Sequence, residues 1–434
     1  MAVMGMPGPM ELLMVIMQML GGLGGGQIPI AMPPGPQVPA MQQVAPDDCL
    51  LYIGSNGMAA PDPKSENQTE QMLAEPEVQA FIKEVDLAIT KAIIKNTRRS
   101  DVEEKQLAIF SYSFGKQFLT KPFAVFAETP QVPEGEKLSP EMIHGGLMMD
   151  LGEDAEDLQS AFSLLLEIED APEFETVTIE GIECRKFTIE ESKGVVMFVG
   201  CKDERLFVTI GDGTLESMLN RLETPAPQWL TDINEKLPVE RVATTSYVNL
   251  QQVVDLAMAN VDEDEADMAK VSAIIDTLGI HQLKSLISIT GLDKEGMVDM
   301  SMVEFDGAMP PVVAAIVSGK LDAEDLASVP GDSNVLIAFK IDQKKLYNAI
   351  LETAGEIEPD APTMIKMQLS GIAGMLGMSS DNDLLESLGD TWTIYNSPSE
   401  GGTLFTGLTL TAEIKPELAE KLTEFADSFG KQFQ

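Results

Sequence analysis

One pattern recurs three times along this chain: a proline, a short polar step, an apolar strand and then a capping residue. The strands are 49–54, 242–248 and 335–339, and they follow Pro46, Pro238 and Pro330. In the second and third copies Asn249 or Asp342 ends the strand, and apolar residues at helical spacing come next. The pattern predicts tandem units in which a strand leads into a helix.

The rest of the first unit predicts helices and short strands joined by tight turns. A helix beginning near Pro76 has an apolar face made of Val78, Phe81, Ile82, Val85, Ile89 and Ile93. Further strands are predicted at 144–151, 174–179, 182–189, 195–201 and 206–210, with helices around Leu158 and over 215–222. Turn-like pairs such as Glu180-Gly181 and Asp203-Glu204 separate several of these strands. We therefore predict an α+β fold, with mostly antiparallel sheets covered by helices.

Proline-rich seams divide the chain into four predicted segments. Residues 1–45 form a Met/Gly/Pro-rich tail, export-like or disordered, whose last prolines make an extended linker. A first α+β unit spans 46–225, a second spans 238–326, and a third spans 330–434. The third lacks the four strands that follow in the first, so we expect it to be incomplete and the chain to be a fragment of a longer protein.

The hexapeptide Ser-Phe-Gly-Lys-Gln-Phe occurs twice, at 113–118 and 428–433. Six identical residues favour duplication. The alternative is recurrence of a good helix ending, in which Gly115 and Gly430 each follow the last helical residue. A strand and helix near the C-terminus, 404–414 and then Pro416 onward, match 144–151 and its helix at a different offset.

The charge balance excludes one class of partner. Asp and Glu number 70 against 29 Lys and Arg, a formal net charge of −41, so a nucleic-acid surface with clustered basic residues is not expected. No apolar run is long enough for a transmembrane span. The acidic runs 262–265 and 153–157 lack the ligand alternation of a calcium loop and are interpreted as solvated faces that hold divalent cations weakly at most.

The N-terminal region predicts export. Leu12–Leu20 is an apolar run of the length found in secretory signals, although no Lys or Arg precedes Lys64. The alternatives are a short apolar helix that docks to a partner or membrane surface, and a tail that packs nowhere. We predict a periplasmic or cell-surface protein with a protein or cell-envelope partner, and a cytoplasmic one as the alternative.

The chain has three cysteines and no Cys/His cluster, so a structural zinc site is not predicted. If strands 182–189 and 195–201 form a hairpin, Cys184 and Cys201 lie diagonally on one face. A bridge is one outcome in an oxidising compartment. Buried free thiols are the interpretation we favour, since diagonal spacing is poor disulfide geometry.

No set of catalytic residues and no cofactor are predicted. His144 and His281 are far apart in sequence, and neither accompanies a nucleophile motif. Gly115-Lys116 lacks the remainder of a phosphate loop, and the turn at 211–214 is explained by Thr214 as a helix N-cap. The metal-site residues stay unknown.

Methionines form two groups. Those between Met4 and Met19 would suit a soft metal or an adaptable binding surface. The second group, Met364, Met367, Met375 and Met378, has helical spacing. We predict that its members fill a core.

Residues 46–434 loosely, and 170–225 most closely, resemble a group of uncharacterised, exported-looking bacterial proteins of planctomycete type with a repeated domain of unknown function. The shared pattern runs from Gly181 to Phe187, through the strand 195–199, to Gly211 and Leu215 opening a helix. The resemblance implies export and carries no catalytic residue.

The function we predict is a non-enzymatic extracytoplasmic binding or scaffold protein built from repeated α+β units. The alternative is a hydrolase using carboxylates or a divalent metal, with a pocket lined by several of Asp150, Glu153, Asp293 and Glu295.

Overall fold

The computed structural model describes residues 33–96, 102–133, 136–166, 173–189, 194–259, 275, 279–294, 296–317, 319–333, 335–401 and 408–432. The described residues form two compact units, where three were predicted. The first contains residues up to 259 together with 284–304, and the second contains the described residues of 275–283 and 305–432.

The first unit is built on a ten-stranded sheet. Its strands are β1 (Cys49–Asn56), β2 (Pro122–Glu128), β3 (Gly145–Asp150), β4 (Phe174–Ile179), β5 (Ile182–Ile189), β6 (Val195–Lys202), β7 (Arg205–Ile210), β8 (Arg241–Asn249), β9 (Leu283–Leu292) and β10 (Met297–Phe305). Its helices are α1 (Pro39–Gln43), α2 (Gln68–Leu73), α3 (Pro76–Asn96), α4 (Val102–Thr120), α5 (Ala155–Leu166), α6 (Thr214–Arg221), α7 (Gln228–Lys236) and α8 (Leu250–Ala259). Short 3₁₀ turns lie at Pro140–Met142 and Gly152–Asp154.

The strand order is β10-β9-β8-β1-β2-β3-β7-β6-β5-β4. β1 and β8 are neighbours within the sheet and pair antiparallel, with Tyr52 opposite Tyr247. Each of these two strands begins the same path: the strand is followed by helix and then by two more strands that lie beside it in the sheet. The predicted boundary near 225–238 therefore does not end the first unit, because β8, which follows that boundary, is hydrogen-bonded to β1.

The two faces of this sheet carry separate cores. Met148 and Met149 are neighbours on β3, so they point to opposite faces, and both are fully buried. The first core contains Tyr52, Phe126 and Met148 under α1, α6 and α7. In the second core, Met149 packs with a row of phenylalanines from α4 and α5, namely Phe110, Phe114, Phe118 and Phe162.

Residues 34–45 belong to the fold, which corrects the predicted extended linker. Pro34 forms a β-bridge with Met58, and α1 follows. Met41 and Val44 are fully buried in the first core. Two side-chain hydrogen bonds fix this segment: the Tyr52 hydroxyl donates to the Met41 carbonyl, and Arg221 Nε donates to that of Val44, each at 2.8 Å. The remainder of the predicted tail, residues 1–32, lies outside the described residues.

The two cysteines of the β5–β6 hairpin lie on opposite faces, so their predicted placement on one face is wrong. Cys184 is opposite Gly200, one residue before Cys201, and the hairpin register therefore turns the two side chains apart. Cys184 packs in the first core and Cys201 beside the second. Both are free thiols.

The hexapeptide copies occupy different places in the fold. The first lies inside α4, before β2, so Gly115 does not follow the last helical residue as the alternative required. Gly430 likewise lies within a helix that runs on to Gln432, after the described strand Thr409–Ile414. The copies therefore do not mark equivalent helices.

The second unit has a three-stranded sheet, β11-β12-β13. Its strands are β11 (Val335–Lys340), β12 (Leu388–Asn396) and β13 (Thr409–Ile414), and its helices are α9 (Pro311–Ile316), α10 (Gln343–Ile357), α11 (Ala361–Met375), α12 (Asp381–Ser387) and α13 (Pro416–Gln432). Asp342 caps α10 as predicted, accepting from the Lys345 amide at 3.0 Å. Ala373, Met378, Leu384 and Leu418 form its core.

The α+β prediction is confirmed, since helices cover sheets whose described strands pair antiparallel. A strand followed by helix and then by two more strands occurs in both units. That these are tandem repeats stays a prediction. Across the described ranges, no helix has the length and apolar character that crossing a bilayer requires.

Candidate functional sites

The carboxylates of the hydrolase alternative do not converge where the structure describes them. Asp150 ends β3 and Asp293 follows β9, and four strand spacings separate those strands, about 19 Å. Glu153 lies in the 3₁₀ turn after β3, and Glu295 falls outside the described residues. Within the described ranges no cluster of three His, Cys, Asp or Glu side chains is arranged to hold a metal ion.

The two predicted acidic runs have different outcomes. The run 262–265 lies outside the described residues. The run 153–157 spans a 3₁₀ turn and the start of α5, where acidic side chains favour a helix N-terminus. Lys121 Nζ lies 2.5 Å from Asp154 Oδ2, so this run has a basic neighbour.

His144 makes a hydrogen bond that does not activate a nucleophile. Its Nδ1 lies 2.9 Å from the Thr214 hydroxyl, and that hydroxyl donates its own proton to the Ile210 carbonyl at 2.9 Å. The ring must therefore donate to Thr214, which leaves the threonine without a base to remove its proton. His281 lies in the 3₁₀ turn Ile280–Gln282 of the second unit.

The turn between β7 and α6 differs in detail from its prediction. Gly213 is the N-cap, with φ of 75°, and Thr214 is the first residue of α6. The Thr214 hydroxyl bonds backward to Ile210, so it does not cap the amides that follow. The predicted strand-to-helix turn is present, and the predicted role of Thr214 is wrong.

A cleft of about 530 Å³ lies in the first unit where β1 ends and β8 begins. Its lining residues are Pro34, Gly35, Pro36, Gln37, Asn56, Ala59, Asn234, Leu237, Val239, Glu240, Arg241 and Val242. Asn56 Nδ2 donates to the Val242 carbonyl at 2.8 Å, and Arg241 Nη2 donates to that of Pro34 at 3.4 Å. The cleft thus offers amide and carbonyl groups around one guanidinium.

A buried carboxylate neutralises that guanidinium. Glu70 is 1% exposed, and its Oε2 accepts from Arg241 Nη1 at 2.5 Å. Burial acts to raise the pKa of Glu70, but the hydrogen bonds from Arg241, Ser65 and the Asp62 amide outweigh burial and hold that pKa below its usual value. Because the charge of Arg241 is already matched, the cleft suits a neutral polar group better than an anion.

The most exposed large apolar side chain among the described residues of the first unit lies on α3. Phe81 is 65% exposed and Leu87 is 54% exposed, and none of the described side chains of this helix is buried. The predicted apolar face is divided between the interior and solvent: Ile82 is half-buried, whereas Phe81, Val85 and Ile89 are exposed. Exposed apolar surface of this kind typically marks a binding surface.

The methionines of α11 are a second exposed apolar surface, and the prediction that they fill a core is wrong for three of the four. Met364, Met367 and Met375 are exposed on one side of this helix together with Ile372. Only Met378, just after the helix, is buried. Flexible thioether side chains are suited to adaptable docking surfaces.

No protein-family model, curated protein or solved structure matches the chain.

The sequence contains a signal for the exposed apolar surface of α3 and none for the Glu70–Arg241 pair. Apolar residues occur all around α3, at Phe81 and Val85 and also at Leu87, and a helix of that kind is either fully buried or docks something else. Glu70 and Arg241 are 171 residues apart, and no local pattern connects them.

Proposed function

We propose that this protein is a non-enzymatic extracytoplasmic binding or scaffold protein, built from repeated α+β units, that docks protein partners through exposed apolar helix faces. The observation that carries the proposal is the solvent-facing apolar surface of α3, with Phe81 65% exposed. The methionine face of α11 supports it in the second unit. Monomeric proteins rarely expose such surfaces without a binding role.

The acidic surface supports the same function. A net charge of −41 keeps a protein soluble and repels other acidic surfaces, so docking is left to local patches. On α3 the charge is locally balanced, with Lys83, Lys91 and Lys95 against Glu77, Glu84 and Asp86. Because the local net charge on α3 is near zero, its apolar surface can approach an acidic partner that the remainder of the molecule would repel.

Site-specific photo-cross-linking in the native host tests the docking role. A benzophenone amino acid replaces Phe81 in one variant, Met367 in a second and Glu66, an exposed polar control, in a third. We expect discrete cross-linked products from the first two positions and none from the third. Equal, diffuse labelling at all three positions would contradict a docking role.

The extracytoplasmic location has its own test. Intact mass and N-terminal sequencing of the protein isolated from its host should reveal a processed chain that still contains Pro34, because residues 34–45 belong to the fold. A chain retaining Met1 would overturn the proposed export.

A further inference from the structure

The exposed side of α3 has a regular composition. Six exposed residues recur every three or four positions and therefore share one face of the helix, which we call the α3 stripe: Glu77, Phe81, Val85, Ala88, Ala92 and Lys95. The side of α3 that meets α4 is a different one. There the Asp86 carboxylate accepts from the Tyr112 hydroxyl at 2.6 Å and from Lys116 Nζ at 3.1 Å.

The α3 stripe is complementary to itself when read in reverse. Its first residue is acidic and its last is basic, its second and third are large, and its fourth and fifth are alanines. Two copies of α3 laid antiparallel place Phe81 against Ala92, Val85 against Ala88, and Glu77 beside Lys95. Each large side chain thus meets a small one, which is how helices interdigitate at close distance. Each end of the pair carries an ion pair.

We propose that this protein forms a homodimer through antiparallel pairing of α3 with α3 of a second copy. The inference rests on the proposed docking function and names its partner. The pairing is isologous, so every contact occurs twice about a two-fold axis. It also sets the positive N-terminal end of each helix against the negative C-terminal end of the other.

Charge selects the second copy in this orientation. A parallel pair would place Glu77 against Glu77 and Lys95 against Lys95, which is unfavourable at both ends. An anionic membrane surface would attract the lysines of α3 but offers no cation to pair with Glu77 at the other end of the stripe. The antiparallel self-pair satisfies the apolar and the charged residues of the stripe together.

Sedimentation equilibrium of the full chain between 1 and 100 µM tests the proposal. We expect a species of twice 47.0 kDa. Phe81→Glu should weaken dimerisation by at least roughly 100-fold, since each dimer contains two such contacts, one on each side of the central Val85–Ala88 pairs. Leu119→Glu is the matched control: it makes the same kind of change at an apolar side chain that is 54% exposed on α4, outside the stripe, and should leave the dimer intact. Circular dichroism checks that both variants fold.

Charge reversal tests the orientation. Glu77→Lys alone and Lys95→Glu alone should each weaken self-association by roughly tenfold, because like charges then meet at both ends. An equimolar mixture of the two variants should recover the wild-type dissociation constant, since each chain then complements the other. A mixture that dimerises no better than either variant alone would overturn the antiparallel register.

Two other outcomes would overturn the proposal. One is a dimer that survives Phe81→Glu. The other is a monomer across the whole concentration range. If that monomer still cross-links from position 81 to a different protein, the self-pairing fails and the proposed docking function stands. If it cross-links to nothing, both fail.

Discussion

Glu70 and Arg241 form an ion pair in the first unit, with 2.5 Å between Oε2 and Nη1. The carboxylate is buried, whereas the Arg241 side chain is 41% exposed. Glu70 also accepts from the Asp62 amide at 3.2 Å, and Asn67 of the same segment caps α2 and donates to the β9–β10 turn at Asp293 and Gly296. The pair therefore ties the segment before α3 to β8 at the edge of the cleft.

Replacing Arg241 by Met should lower the free energy of unfolding by about 1–3 kcal/mol, the cost of leaving a buried acceptor without its donor. Urea denaturation followed by circular dichroism measures this loss. The control is the double variant Glu70→Gln, Arg241→Met, in which no buried charge remains and part of the stability should return. Equal loss in the single and double variants would show that Arg241 stabilises through packing alone.

The pH dependence of this ion pair has a definite sign. Because the folded-state pKa of Glu70 is lowered, its stabilising contribution is present above the unfolded-state value of roughly 4.3 and is lost as the pH falls through the folded-state value. We expect the stability difference between wild type and Glu70→Gln to shrink between pH 6 and pH 3. Urea unfolding across that range measures it, and a constant difference would contradict the assignment.

Two glycines should respond to alanine in opposite directions. A Cβ at Gly54 would lie 2.8 Å from Cζ of the buried Tyr52 ring, so Gly54→Ala should destabilise the protein by about 1–3 kcal/mol. Gly115 lies within α4 with no atom within 4 Å of the added Cβ, and Gly115→Ala should stabilise by about 1 kcal/mol. Thermal unfolding measures both. A destabilising Gly115→Ala would contradict the interior helical position of Gly115.

Removing residues 33–45, which include α1, should destabilise the first unit. A chain that starts at Pro46 should be less stable than one that starts at Pro33, because it loses the buried Met41 and Val44. Each fully buried side chain of this type contributes about 1.5–3 kcal/mol. Denaturant unfolding of the two truncated chains side by side measures the difference, and equal midpoints would show that α1 contributes nothing.

The cysteines should remain thiols even under oxidising conditions. Burial raises the pKa of Cys184, and the nearby carboxylates of Glu216 and Glu183 raise it further. Since Cys201 points to the other face of the sheet, no bridge forms without remodelling β6. Alkylation in denaturant after air oxidation should give three adducts by intact mass. A single adduct would indicate a disulfide.

The sequence predicted the elements of the first unit well because their signals are local. The strands β4 to β7 lie within one residue of their predicted bounds, because turn residues such as Glu180-Gly181 mark where one strand ends and the next begins. Asn249 and Asp342 were recognised as caps from the residue type alone, and each accepts the expected amide hydrogen bond. Local propensity and turn chemistry suffice for such features.

The sequence could not decide whether an apolar helix face is buried in the core or exposed to solvent. The spacing of Phe81, Val85 and Ile89 is the same whether the face is buried within the chain or left open to a partner. The same ambiguity misplaced the methionines of α11. Periodicity identifies a face, and only the packing of other elements determines what covers it.

The sequence by itself determined the α+β class, the bounds of strands β4 to β7, the Asn249 and Asp342 caps and the acidic balance, because each depends on local sequence or composition. The tertiary structure decided the pairing of β1 with β8, the burial of α1, the opposite orientations of Cys184 and Cys201, and the contact between Glu70 and Arg241. Those features join residues that are distant in sequence or depend on register, and a register is fixed only when whole strands bury their faces together.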